Sequence, residues 1–170
     1  MPEVSGRVTI PISQEQAWDY IADMRNTRDW MFGVREVAGP QNPPVKPGDR
    51  FRVRLVAGAR LAESEWVMGS CERPSLVTST GRAMGARAEL RIECHALGEN
   101  TTEVVQKLRY ELPGGPLGLL AGRLGVRGIL EMQAHRSLQA LVTKLASGTR
   151  SGTRAQVIVE ASARDHPSSH

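Results

Sequence analysis

The chain has 170 residues, enough for one domain with a real core, and its 40% hydrophobic and 24% charged content is that of an ordinary globular protein. No stretch approaches the roughly 20 apolar residues of a membrane span, and the opening "MPEVSGRVTI" lacks the basic start and apolar run of a secretory signal, so a cytoplasmic protein is expected. The net charge of +4 rests on arginines interleaved with glutamates, as in "RAELRIEC", and aromatics are only 4%, so neither a basic stripe nor a stacking platform for nucleic acid is expected.

In chain order, residues Val4 to Ile10 read as a first strand. "SQEQAWDYIADM" follows as a helix, opened by a capping box of Ser13 and Gln16, with Ala17, Ile21 and Met24 at helical spacing. A short second helix is expected around Thr27–Phe32, and the prolines of "NPPVKPGD" mark a loop. From there the period changes to two. Phe51, Val53 and Leu55 alternate with Arg50, Arg52 and Arg54, and after the turn "AGAR" so do Ser64, Trp66 and Met68 with Glu63, Glu65 and Val67. A short strand follows from Leu76 to Arg82. Ala88, Leu90, Ile92 and Cys94 then alternate with Glu89, Arg91, Glu93 and His95. After "GENT", Val104, Gln106, Leu108 and Tyr110 alternate with charged neighbours. A long helix runs from about Leu117 to Ala146. Residues 148–170, rich in Ser, Gly and Arg, read as a mostly disordered tail appended to a domain of residues 1–147.

Consecutive strands with one apolar and one charged face, joined by short turns, make an antiparallel meander, and the apolar face needs a cover. The only element long enough is the last helix, about 45 Å at 1.5 Å per residue. The expected fold is α+β: a curved seven-stranded antiparallel sheet wrapped around the C-terminal helix, with two short helices between strands 1 and 2. Seven strands around one helix leave a cavity between the two.

Segments "AWDYIADMRNTRDWMFGV", "GDRFRV", "ERPSLV" and "YELPGGPLGLLAGRL" together resemble the START-like or SRPBCC superfamily, the helix-grip fold. Within it the chain is most similar to bacterial polyketide cyclase/dehydrase and lipid-transport-like proteins, over about residues 2 to 147. The resemblance implies a pocket for a hydrophobic or aromatic small molecule and sets Trp30 on the pocket rim. Three functions stay open: a carrier or sensor of a lipid, polyketide or aromatic; a cyclase, aromatase or dehydratase using the same cavity; and a regulatory protein-interaction module.

By alternation, Leu55, Trp66, Met68, Leu90, Ile92, Gln106, Leu108 and Tyr110 face inward, with no carboxylate, lysine or histidine among them. That wall is nearly inert for proton transfer and suits binding. Tyr110, Gln106 and Ser64 are its hydrogen-bonding groups. On the helix, Leu120, Leu124, Leu138, Val142 and Leu145 share one stripe at 100° per residue, with Arg127 and Glu131 in its middle and His135 at its edge. Leu120, Leu124, Arg127 and Glu131 are therefore ligand-binding candidates, and Glu131, His135 and Tyr110 are the catalytic candidates should a reaction occur. Arg127 and Glu131, one turn apart, are placed to pair, either within the cavity or at a solvated mouth. Gly118, Gly122, Gly125 and Gly128 keep the helix start thin, as a cavity entrance would need. Cys71 and Cys94, without a CxxC or a neighbouring His pair, form no metal signature, and no cofactor is implied. A monomer or a homodimer is expected.

Overall fold

The computed structural model describes residues 1–83, 86–111, 116–147 and 157–162, and among these all side chains but those of residues 57, 83, 116–124 and 160–162. The order is β1 (Glu3–Ile10), α1 (Gln14–Ile21), a 3-10 turn (Met24–Asn26), α2 (Thr27–Trp30), β2 (Val34–Ala38), β3 (Arg50–Ala57), β4 (Arg60–Glu72), β5 (Leu76–Ala83), β6 (Ala86–Gly98), β7 (Thr101–Tyr110), α3 (Pro116–Ala146) and β8 (Val157–Ser162). One open antiparallel sheet runs in the order β2-β3-β4-β5-β6-β7-β1-β8. This is the expected helix-grip architecture with one strand more than the seven expected. Val157, Val159 and their neighbours pair with β1 from Val8↔Val157 to Glu3↔Ser162, because β1 offers an unpaired edge and "VIVEAS" supplies β-branched residues to fill it. The remainder of the 148–170 segment lies outside the described residues.

Local chemistry explains the start of the chain. The Ser13 hydroxyl accepts from the Gln16 amide at 3.2 Å, and the Gln16 side chain accepts from the Ser13 amide at 3.2 Å, closing the capping box of α1. The helix then buries Ala17, Trp18 and Ile21, and the Trp18 indole N–H donates to the Leu76 carbonyl at 3.1 Å, tying α1 to β5. Helix α2 stops at Trp30, two residues before the expected end, and the chain turns into β2 through Gly33, whose φ of 89° suits a residue without a Cβ.

Alternation along the sheet is realised as expected. Val53, Ser64, Met68, Ile92, Cys94, Val104, Gln106 and Tyr110 are buried, and Leu55, Trp66, Leu90 and Leu108 are half-buried. The C-terminal half of α3 closes over β1, where Gly6 makes room: a Cβ there would stand 2.8 Å from Leu138 Cδ1. Val8, Trp18, Phe51, Met68, Ile92, Leu138 and Leu141 belong to the main core, and Val4, Ala88, Tyr110 and Ala134 form a second cluster under the middle of α3.

The outer face carries ion pairs between strands, such as Arg54–Glu36 and Arg109–Glu3, each 2.9 Å. Exposed pairs of this kind add little stability. Glu93 differs, being only 15% exposed. Burial pushes its carboxyl up, but hydrogen bonds from Arg91 and His95 and the charges of Lys107 and Arg91 outweigh that and hold it at about 2.

Candidate functional site

The described residues enclose a cleft of about 450 Å³ where α2, the turn into β2, the end of β3 and the middle of α3 meet. That size is in the range of small-molecule sites. Trp30, Met31, Val34, Val56 and Met132 supply an apolar wall, and Arg28, Asp29, Arg35 and Arg136 surround it with charge. The segment from Met31 to Val34 is held in place from several sides. The Phe32 amide donates to the Ser137 hydroxyl on α3 at 2.8 Å, the Met31 amide to the Thr27 carbonyl at 2.8 Å, and the Val56 amide to the Gly33 carbonyl at 2.8 Å. The Arg136 guanidinium lies over the Phe32 ring, 4.8 Å from its centroid, a cation–π contact that joins charge and apolar wall. A smaller depression of about 330 Å³ nearby is lined chiefly by Arg25, Arg28, Glu36 and Gln41 and offers less apolar surface.

Two polar groups stand out in the interior. The Trp30 indole N–H and the Gln106 side-chain carbonyl are buried without a hydrogen-bond partner among the described residues. The other two tryptophans are satisfied: Trp18 by Leu76, and Trp66 by the Ser64 hydroxyl at 3.0 Å, which itself donates to the Val53 carbonyl at 3.3 Å. An unpaired buried donor or acceptor costs about 1–3 kcal/mol, and a ligand group that bonds to it recovers that cost. Trp30 lines the cleft, so its N–H is a candidate donor to a ligand oxygen.

The sequence candidates fall into four groups. Trp30 lies on the cleft wall. Met68 and Ile92 are packed into the main core with Trp66 and Leu90 against it, and Leu108 and Tyr110 belong to the second cluster, while Leu55 is half-buried on β3 opposite Ala62. Leu120 and Leu124 lie outside the described side chains. Arg127 Nε donates to Glu131 Oε1 at 2.9 Å, so the helix pair forms, with side chains 44% and 38% exposed, and His135 is half-buried one turn on. Burial on α3 passes instead through Val126, Leu130, Ala134, Ser137, Leu138 and Leu141. The apolar stripe read at a constant 100° drifts by one residue, because the middle of the helix packs toward Val4 and Tyr110.

The cleft residues Phe32, Arg35, Val56, Met132 and Arg136 were not among the sequence candidates. A second line of Ile129, Met132 and Arg136, at i, i+3 and i+7 on α3, was the available signal. Cys94 is an inert core thiol that burial pushes up to about 12, and burial also raises Cys71. Among the described residues no group of three or more His, Cys, Asp or Glu side chains is placed to hold a metal ion, and no helix is long and apolar enough to cross a membrane.

An open antiparallel sheet gripping one long helix, with a cleft where the helix middle meets the α2–β2 turn, defines a helix-grip protein. Residues 1–146 match the family model described as polyketide cyclase / dehydrase and lipid transport, and the chain belongs to that family. Solved structures agree on the fold. An aromatase/cyclase (Zhui) from Streptomyces sp. R1128 superposes with a TM-score of 0.71 at 16% identity, over 87% of this chain and 95% of that one. A START superfamily protein from Mycobacterium smegmatis gives 0.67 at 15% identity, over 88% and 100%. A Thermus thermophilus protein gives 0.69 at 20% identity, over 87% and 99%. No curated protein sequence matches the chain.

Proposed function

We propose that residues 1–147 form a domain that binds or carries a hydrophobic small molecule, a lipid, polyketide or aromatic, between α3 and the sheet. In this reading the protein works in the cytoplasm, as a monomer or homodimer, with residues 148–170 appended. The observation that carries it is the cleft of about 450 Å³, whose apolar wall includes Trp30 with a buried N–H that has no partner among the described residues. The family description, polyketide cyclase / dehydrase and lipid transport, supports the same class of ligand. Native mass spectrometry of freshly purified protein, followed by titration with lipids, aromatics and polyketide-like compounds, tests it. A retained or titrated ligand at one-to-one stoichiometry is expected. Failure of the whole panel to bind would end the carrier reading.

A second reading, a cyclase, aromatase or dehydratase, is favoured by the likeness to the Streptomyces aromatase/cyclase and by the run Arg127, Glu131, His135 on one helix, with Tyr110 buried below. In that reading His135 or Glu131 exchanges a proton with the bound substrate. Glu131→Gln and His135→Gln should then abolish turnover while leaving ligand affinity nearly unchanged. Undiminished turnover in both variants would remove these residues from the mechanism.

A further inference from the structure

From the composition of the cleft we infer that its ligand is an amphipathic anion: an apolar body carrying a carboxylate or phosphate group, held by Arg35 and Arg136. The inference rests on the binding reading above and specifies its ligand class.

The cleft presents three arginines, Arg28, Arg35 and Arg136, against one carboxylate, Asp29. Asp29 approaches Arg28 at 3.9 Å. Among the described residues, neither Arg35 nor Arg136 has a carboxylate within ion-pair distance. On the outer face of the sheet, Arg54–Glu36 and Arg109–Glu3 pair across strands and Arg91–Glu93 along β6. At the cleft, two guanidinium groups are left for a partner that the described residues do not supply.

The apolar half of the surface is equally marked. Phe32, Ile129 and Met132 line the cleft and are 40%, 54% and 43% exposed, unusual for such large side chains. Arg136 spans both halves, since its guanidinium stacks on Phe32 while its N–H groups have no hydrogen-bond or ion-pair partner among the described residues. An uncharged hydrocarbon would use only the wall. A small hydrophilic anion would use only the arginines. A molecule with both uses the whole cleft, and Trp30 N–H adds a donor for one of its oxygens. Planar guanidinium groups bind carboxylate and phosphate alike, so the geometry specifies the anionic oxygen group that the two share.

The test uses the full chain and 11-(dansylamino)undecanoic acid with its uncharged methyl ester, at concentrations below aggregation, with affinity read from dansyl emission at low salt. The acid should bind at least about tenfold tighter than the ester, the increment of one good charge-assisted contact. Arg35→Gln and the double variant with Arg136→Gln should remove that preference, while Arg82→Gln, on β5 and away from the cleft, should keep it. A dodecyl phosphate competitor should displace the acid, and neutral dodecanol should compete poorly. Equal binding of acid and ester overturns the inference and leaves the binding reading standing. Failure of both probes removes both. Binding of protein to phosphatidylglycerol vesicles without binding of the monomeric acid would assign the arginines to a membrane surface and would equally overturn it.

Discussion

The Phe32 amide and the Ser137 hydroxyl, 105 positions apart, meet at 2.8 Å and fasten the turn between α2 and β2 to the middle of α3. That bond holds the Met31–Val34 wall of the cleft against α3. Ser137 is buried, so Ser137→Ala leaves a backbone N–H without its acceptor and should cost about 1–2 kcal/mol in denaturant unfolding. Ligand affinity should fall with it, because Met31, Phe32 and Val34 lose their support. Wild-type affinity in a destabilised Ser137→Ala variant would mean that the turn is held well enough by Thr27 and Val56.

Gly81 marks a close approach on the concave side of the sheet. A Cβ there would stand 2.5 Å from Trp66 Cδ2 and 2.7 Å from the Glu65 carbonyl oxygen. Gly81→Ala should therefore push Trp66 off its Ser64 partner and destabilise the fold by about 1–3 kcal/mol, the range for overpacking. Calorimetry should show a lower Tm; an unchanged Tm would mean that the indole moves aside freely.

Gly125 and Gly128 predict the opposite. A Cβ at either position meets nothing within 4 Å, so in these two glycines helix propensity is lost without any steric need. Gly125→Ala should raise stability by about 1 kcal/mol and Gly128→Ala by a similar amount. A fall in stability on either substitution would show that the helix start needs its flexibility.

Glu93 supplies the pH dependence. Its folded value of about 2 lies below its ordinary 4.5, so its contribution is fully present above pH 4.5 and is lost as pH falls toward 2. At 1.36 kcal/mol per pKa unit, the contribution is at most about 3 kcal/mol. The stability difference between wild type and Glu93→Gln should shrink steadily between pH 5 and pH 2. A difference that is constant with pH would place the value of Glu93 in its packing rather than its charge.

Much of the fold was legible in the sequence, because its signals are local. Ser13 and Gln16 cap α1 through a contact three residues long, and the inward residues of β3 to β7 follow from a period of two. The cleft depends on contacts between residues 30–34 and 129–140, and no local pattern reports a bond like that from Phe32 to Ser137. The helix ladder was half legible. Arg127 and Glu131 pair as their spacing requires, but their exposure depends on how α3 rotates over Val4 and Tyr110, which periodicity alone does not encode. Strand β8 was obscured by its surroundings, since "QVIVE" is short and flanked by Ser, Gly and Arg.

The central claim, a ligand seated against Trp30, has a direct spectroscopic test. The protein has three tryptophans, of which Trp18 and Trp66 already donate their indole N–H bonds and Trp30 has no acceptor among the described residues. In ¹H–¹⁵N spectra assigned with Trp30→Phe, titration with 11-(dansylamino)undecanoic acid or its ester should move the Trp30 indole resonance most, saturably, with Trp18 and Trp66 nearly still. Binding that leaves the Trp30 resonance in place while shifting Trp18 or Trp66, or a titration that moves none of the three, would contradict the account.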